Sequence, residues 1–249
     1  MGRKLIASDF DGTIGWGDRL KKDLDAIARF RAEGNLFGLV SGRNIEGLKW
    51  VRDRAGMTVD FLLADSGGTC LLGDKLVFCE ETGPDVFFPL VDFLMSRGTK
   101  LIACNRADGV DMLYYRHRDG REDYDPKRAL WKARPFPQIS GAFPDYQTCR
   151  AVADEMELIF PKLTPLPNDD CLDIVPKGRD KAVGIAQLAD LLGVARENVF
   201  SVGDNYNDLA MLDAFNSFAV MNAPPDVQSH ARCGVVPAVS DMIDLILGS

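Results

Sequence analysis

The chain has 249 residues, enough for one large domain or for a core domain that carries a smaller one. Hydrophobic residues make up 46% and charged residues 27%, the balance of an ordinary globular protein. The formal net charge of -8 gives no sign of a nucleic-acid-binding surface. An anionic ligand would therefore need local attraction, from a cation or from placed basic side chains.

No run approaches the roughly eighteen apolar residues that cross a bilayer. The N-terminal apolar run is too short for a signal peptide and ends in acids. The cysteines, Cys70, Cys79, Cys104, Cys149, Cys171 and Cys233, contain no C-x-x-C pair. They read as reduced core thiols of a cytoplasmic protein. A monomer or weak homodimer is expected. The only histidines, His117 and His230, sit in polar settings, which gives little support to a zinc site or a Ser-His-Asp triad.

Leu5-Ile6-Ala7 predicts a strand buried on both faces, and it runs into Asp9, Asp11 and a Gly12-Thr13 turn. Leu20, Leu24, Ile27, Ala28 and Phe30 have helical spacing, with Gly34 as the stop. Leu36–Val40 predicts a second strand, followed by Ser41-Gly42-Arg43. Ile45, Leu48, Val51 and Ala55 predict a helix, and Phe61–Ala64 a third strand. This βαβαβ alternation predicts a doubly wound, mostly parallel, Rossmann-like α/β sheet. Thr69–Phe78 reads as a hairpin with Gly73-Asp74 at its turn.

The pattern then changes. Helices are expected over Val86–Met95 and Thr148–Phe160. Lys100–Cys104 would pair with Val110–Tyr115, and Leu163–Leu166 with Leu172–Val175. Asp125–Gln138 has no clear period. Strands in hairpins beside two helices predict a smaller α+β module over 83–176, inserted into a core formed by 1–82 and 177–249. The alternation resumes with a helix over Ala182–Leu192, a strand over Val199–Val202 and Gly203-Asp204-Asn205-Tyr206-Asn207-Asp208. A helix over Leu209–Phe215, strands at Ser217–Met221 and Gly234–Val236, and a helix over Val239–Leu247 complete the chain.

Asp9/Asp11, Ser41-Gly42-Arg43, Lys181 and Asp204/Asn207/Asp208 all follow expected strands or open helices of the core. A parallel sheet gathers its strand carboxyl ends along one edge, so these groups can converge. Oxygen ligands in that number suit Mg²⁺. A lysine and a Ser-Gly turn at a helix start suit phosphate. With no His or Cys placed to attack, a carboxylate is the best nucleophile candidate. Taken singly, Ser41 could simply cap its helix, and Lys181 could be a solvated lysine. The cluster in order argues otherwise.

Asp9-Phe10-Asp11-Gly12-Thr13 resembles the D-x-D-G-T motif of the haloacid dehalogenase (HAD) superfamily. Ser41-Gly42-Arg43, Lys181 and Gly203-Asp204-Asn205-Tyr206-Asn207-Asp208 resemble its second, third and fourth motifs. The place of the insert, and Met221-Asn222-Ala223, are similar to the Cof-like, type IIB branch. Ser66-Gly67-Gly68 departs from it, standing where the branch often has Asn-Gly-Ala. The resemblance implies a Mg²⁺-dependent phosphatase acting on a small phosphorylated metabolite, a phosphate monoester with a sugar phosphate as one candidate. In that reading Asp9 is the nucleophile and Asp11 the acid/base. Mg²⁺ is held by Asp9, the Asp11 carbonyl and Asp204, with Asp208 supporting it. Ser41, Gly42, Arg43, Lys181 and Asn207 form the phosphate or substrate contacts. Phosphoryl transfer between sugars and a non-catalytic phospholigand module stand as alternatives. In the cap, Asn105, Arg106, Lys127, Arg128, Lys132 and Arg134 are candidates to meet the leaving group, with Trp131, Phe136 and Tyr146 expected to pack.

Overall fold

The computed structural model describes residues 2–248 except 16, 107–108 and 126–133. Lys127, Arg128, Trp131 and Lys132 lie outside the described residues. The chain divides into two compact units, Met1–Val77 with Lys181–Ser249, and Phe78–Asp180.

The first unit begins with β1 (Leu5–Ser8), α1 (Asp18–Ala32), β2 (Leu36–Val40), α2 (Ile45–Arg54), β3 (Phe61–Ala64), β4 (Thr69–Leu72) and β5 (Lys75–Cys79). The insert supplies α3 (Phe87–Ser96), β6 (Leu101–Arg106), β7 (Gly109–Arg116), β8 (Glu122–Tyr124), β9 (Gln138–Ala142), α4 (Tyr146–Ile159), β10 (Leu163–Asn168) and β11 (Cys171–Pro176). The chain then returns with α5 (Lys181–Leu192), β12 (Val199–Gly203), α6 (Leu209–Ala214), β13 (Asn216–Val220), α7 (Pro225–Gln228), β14 (Gly234–Val236) and α8 (Val239–Leu247).

The core sheet has eight strands in the order β14-β13-β12-β1-β2-β3-β4-β5. From β14 to β3 every pairing is parallel, and β4 turns antiparallel to β3. β1 and β2 are buried along their whole length, as a sheet covered on both faces requires. Gly38 in β2 is needed for that packing, because a Cβ there would collide with the Phe61 ring on β3. Helix α1 buries Asp23, Ala26, Ile27 and Phe30, and Gly34 follows it at φ +83°. The expected stripe included Ala28, which lies on the exposed side, a third of a turn from Ile27. It missed Asp23, whose Oδ1 accepts the Ser240 N–H at 2.8 Å and so serves the start of α8, where Ala238 has no capping side chain.

The second unit is a six-stranded antiparallel sheet, β10-β11-β9-β6-β7-β8. Helices α3 and α4 contribute Phe87, Leu90, Leu94, Val152 and Met156 to its core. Strand β8, short and built from Glu122-Asp123-Tyr124, carries no apolar alternation to reveal it in sequence. Within the unit Phe78–Asp180, the Arg179 guanidinium lies 5.6 Å from the Phe78 ring centre and 3.6 Å from Glu80. Arg106 is buried, donates to the Arg134 and Pro135 carbonyls and pairs with Asp111 at 3.3 Å, so it holds the unit together. Phe136 is buried against Phe87, and Tyr146 is partly exposed at the start of α4.

Gly38→Ala forces the Phe61 ring out of place and should lower stability by about 1–3 kcal/mol, read by urea unfolding.

Candidate active site

The strand register builds the site. Ser8 at the end of β1 lies opposite Val202 on β12 and Leu39 on β2. Asp9, Ser41 and Asp204 therefore leave neighbouring strands at the same edge, the carboxyl ends of the sheet. Asp9 stays in register for one more bond, its N–H donating to the Val202 carbonyl at 2.9 Å.

Lys181 is the first residue of α5 and is 1% exposed. Its Nζ donates to Asp9 Oδ1 at 2.8 Å and to Asp208 Oδ1 at 2.6 Å. Asp208 is fully buried, and its Oδ2 accepts the N–H groups of Asp204 at 2.9 Å and Asn205 at 3.1 Å. Both Asp208 oxygens are thus committed to holding Lys181 and the 204–208 turn. Gly203 makes room for this carboxylate, with which a Cβ would collide. Asn207 lies half-buried in the same turn.

Burial opposes the Lys181 ammonium, but Asp208 and Asp9 outweigh it and hold lysine above its ordinary value. Burial pushes the Asp9 carboxyl up to about 8, with Asp208 and Asp204 adding to the rise and Lys181 opposing it. Oxygens of Asp9, Asp204 and Asp208 lie within 4.8 Å of one another. Three carboxylates against one ammonium leave the ionised cluster short of two positive charges. A divalent cation would supply that charge, and Mg²⁺ would suit the all-oxygen donor set. Asp9 and Asp204 are the carboxylates that could hold it.

Asp204 is oriented by Thr13, whose Oγ1 donates to its Oδ1 at 2.8 Å. Gly12, at φ +87°, passes so close that a Cβ would collide with the same carboxylate. Asn222 Nδ2 donates to the Gly12 carbonyl at 2.9 Å, tying the loop after β1 to the end of β13. Thr13 and Asn222 stood in motifs quoted from the sequence, but their partners are far along the chain, so their tasks were not visible there.

Asp11 is paired with Arg43 in fork geometry: Nε to Oδ2 at 2.6 Å and Nη2 to Oδ1 at 2.8 Å. Arg43 was expected among the substrate contacts. Its guanidinium pairs here with Asp11, and both side chains are about half exposed. Ser41 is buried, with Oγ accepting the Arg43 N–H at 3.2 Å, and Gly42 lies between them. Behind this loop, the Asp65 N–H donates to the Arg43 carbonyl at 2.9 Å and the Ser66 N–H to the Ser41 carbonyl at 3.0 Å. Asp65 and Ser66 adopt φ of 52° and 51°, a left-handed backbone that costs a non-glycine residue about 1–3 kcal/mol each. Burial pushes the Cys70 thiol up to about 12 and Cys149 to about 11, so neither offers a thiolate.

Residues 6–241 match the haloacid dehalogenase-like hydrolases. The chain belongs to that family. Among relatives of this HAD hydrolase is 5-amino-6-(5-phospho-D-ribitylamino)uracil phosphatase YbjI of Escherichia coli strain K12, 26% identical over 270 residues, covering 99% of this chain and 97% of the relative. A HAD/COF-like hydrolase of Plasmodium vivax has the same fold, with TM-score 0.80 at 21% identity, covering 99% and 96% of the two chains. The HAD-superfamily phosphatase BT1666 of Bacteroides thetaiotaomicron also superposes, with TM-score 0.80 at 19% identity and coverage of 99% and 94%. The Cof-like architecture expected from the insert's position is the one found. Among the described residues no helix of the HAD hydrolase is long and apolar enough to cross a membrane.

Lys181→Met leaves Asp9 and Asp208 buried together without their cation. It should cost about 3–5 kcal/mol in denaturant unfolding. Adding Asp9→Asn should recover part of that loss, because it removes one of the uncompensated charges.

Proposed function

We propose that this HAD hydrolase is a Mg²⁺-dependent phosphatase that cleaves small phosphate monoesters through an aspartyl-phosphate on Asp9. The supporting observation is the buried Asp9–Lys181–Asp208 bridge beside Asp204, which keeps an attacking carboxylate and a phosphate-binding ammonium in one place.

In this reading an Asp9 oxygen attacks phosphorus and the bond to the leaving oxygen breaks. Asp11 gives its proton to that oxygen, releasing the alcohol. Asp11 then takes a proton from water as the water oxygen attacks phosphorus, which frees inorganic phosphate and restores the Asp9 carboxylate. Lys181 and Ser41 hold phosphoryl oxygens, with the Gly42 backbone and Asn207 beside them. Lys181 also counters charge that grows in a loose transition state. Arg43 acts on Asp11, setting the direction of the acid/base. Mg²⁺, held by Asp9, Asp204 and the Asp11 carbonyl, would supply positive charge at the phosphoryl group. Asp208 supports the set through Lys181. A polyhydroxylated leaving group fits the substrate in the name of the E. coli relative. A cytoplasmic setting fits the six free cysteines.

The test is a panel of phosphorylated metabolites with Mg²⁺, followed by inorganic phosphate release. Wild type should release phosphate without an acceptor, which separates hydrolysis from transfer. Asp9→Asn should abolish turnover while the protein stays folded, and a chelator should abolish it until Mg²⁺ is restored. An Asp9→Asn variant with full turnover would sink the mechanism. Asp11→Asn should slow an alkyl phosphate by about 10²–10⁴-fold, and an aryl phosphate with a good leaving group less in the first step. Equal loss on both substrates would count against leaving-group protonation by Asp11.

A further inference from the structure

Between β3 and β4 the chain makes a turn that the proposed chemistry does not use. Asp65, Ser66 and Gly67 are buried, with φ of 52°, 51° and 95° in succession. Two non-glycine residues side by side in the left-handed region persist only where the surroundings over-determine them. Here the surroundings are two parts of the site.

On one side the turn is bonded to the loop after β2. The Ser66 N–H donates to the Ser41 carbonyl and the Asp65 N–H to the Arg43 carbonyl, at 3.0 and 2.9 Å. The Gly68 N–H closes the turn on the Asp65 carbonyl at 2.9 Å. On the other side it touches α5. A Cβ on Gly184 would lie 2.5 Å from the Gly67 carbonyl oxygen and 2.7 Å from its Cα, so helix and turn meet backbone to backbone. Gly184 lies three residues after Lys181, close to one turn along the helix, so the contact fixes the very end of α5 that delivers the ammonium.

We propose that the left-handed turn Asp65–Gly67 is a positioning device for phosphate binding. It spaces Ser41 from Lys181, with its N–H groups on the Ser41 loop and its Gly67 backbone against Gly184. Ser66 and Gly184 are positioning residues, since neither needs to touch substrate. The two phosphate-holding groups come from parts of the chain about 140 residues apart (Ser41 and Lys181), and this turn is a single rigid piece that contacts both supports. The proposal rests on the reading that Ser41 and Lys181 hold phosphoryl oxygens.

The experiment compares Gly184→Ala with Gly34→Ala, using p-nitrophenyl phosphate and Mg²⁺. Gly34 has φ +83° and open space around it, so its alanine variant loses stability without pressing on anything. Gly184→Ala must push α5 and the turn apart. Its kcat/KM should fall on the order of 100-fold, and the Ki of inorganic phosphate should rise in step, because the same groups bind both. Gly34→Ala should lower Tm and leave both constants alone. Ser66→Val, whose branched side chain does not accept φ 51°, should behave like Gly184→Ala. If Ser66→Val does not fold, Gly184→Ala decides alone. A folded Gly184→Ala protein with wild-type kcat/KM and phosphate Ki, and only a lowered Tm, overturns the proposal. A wild-type enzyme that hydrolyses no phosphate ester overturns the underlying reading and this proposal together, a different outcome from an active enzyme that ignores Gly184→Ala.

Discussion

One buried ammonium organises the catalytic unit. Lys181 bridges Asp9 and Asp208, which lie 172 and 27 residues from it in sequence. Charged groups leave water only when paired and hydrogen-bonded, so each of the three is tolerable only because the others are present. The bridge therefore constrains the surrounding fold. It needs β1 to end at Asp9, α5 to begin at Lys181, and the turn after β12 to hold Asp208 by its other oxygen. It also leaves the cluster short of positive charge, a deficit that a divalent cation beside Asp9 and Asp204 would make up.

The neighbouring parts give that bridge a working environment. Thr13 and Gly12 place the loop after β1 against Asp204. Asn222 ties the same loop to β13. Arg43 holds Asp11 from the loop after β2. These contacts join the ends of four neighbouring parallel strands. A parallel sheet achieves this because every strand delivers its last residue to the same edge, and the intervening helices take the chain back to the other.

Much of this was legible in the sequence for a physical reason. Buried parallel strands are short, unbroken apolar runs, and the polar residues that end them stand out. Asp9, Ser41 and Asp204 were all recognised in that way. The unreadable parts depend on partners distant in sequence. Asp23 was missed because its partner, the Ser240 N–H, lies at the far end of the chain. Nothing local announces the fork of Arg43 on Asp11. Asp208 takes the Asp204 and Asn205 N–H groups on one oxygen and Lys181 on the other, a division that spacing alone does not reveal. Ser66-Gly67-Gly68 was noticed only as an unusual tripeptide, since a left-handed serine has no sequence signature of its own.

The central claim is that Asp9 takes the phosphoryl group. The most direct measurement is rapid acid quench of the enzyme during turnover of a radiolabelled phosphate ester with Mg²⁺, followed by peptide mapping. The account predicts acid-stable, hydroxylamine-labile label on the peptide containing Asp9, and none in Asp9→Asn. Label on a peptide that lacks Asp9 would contradict it.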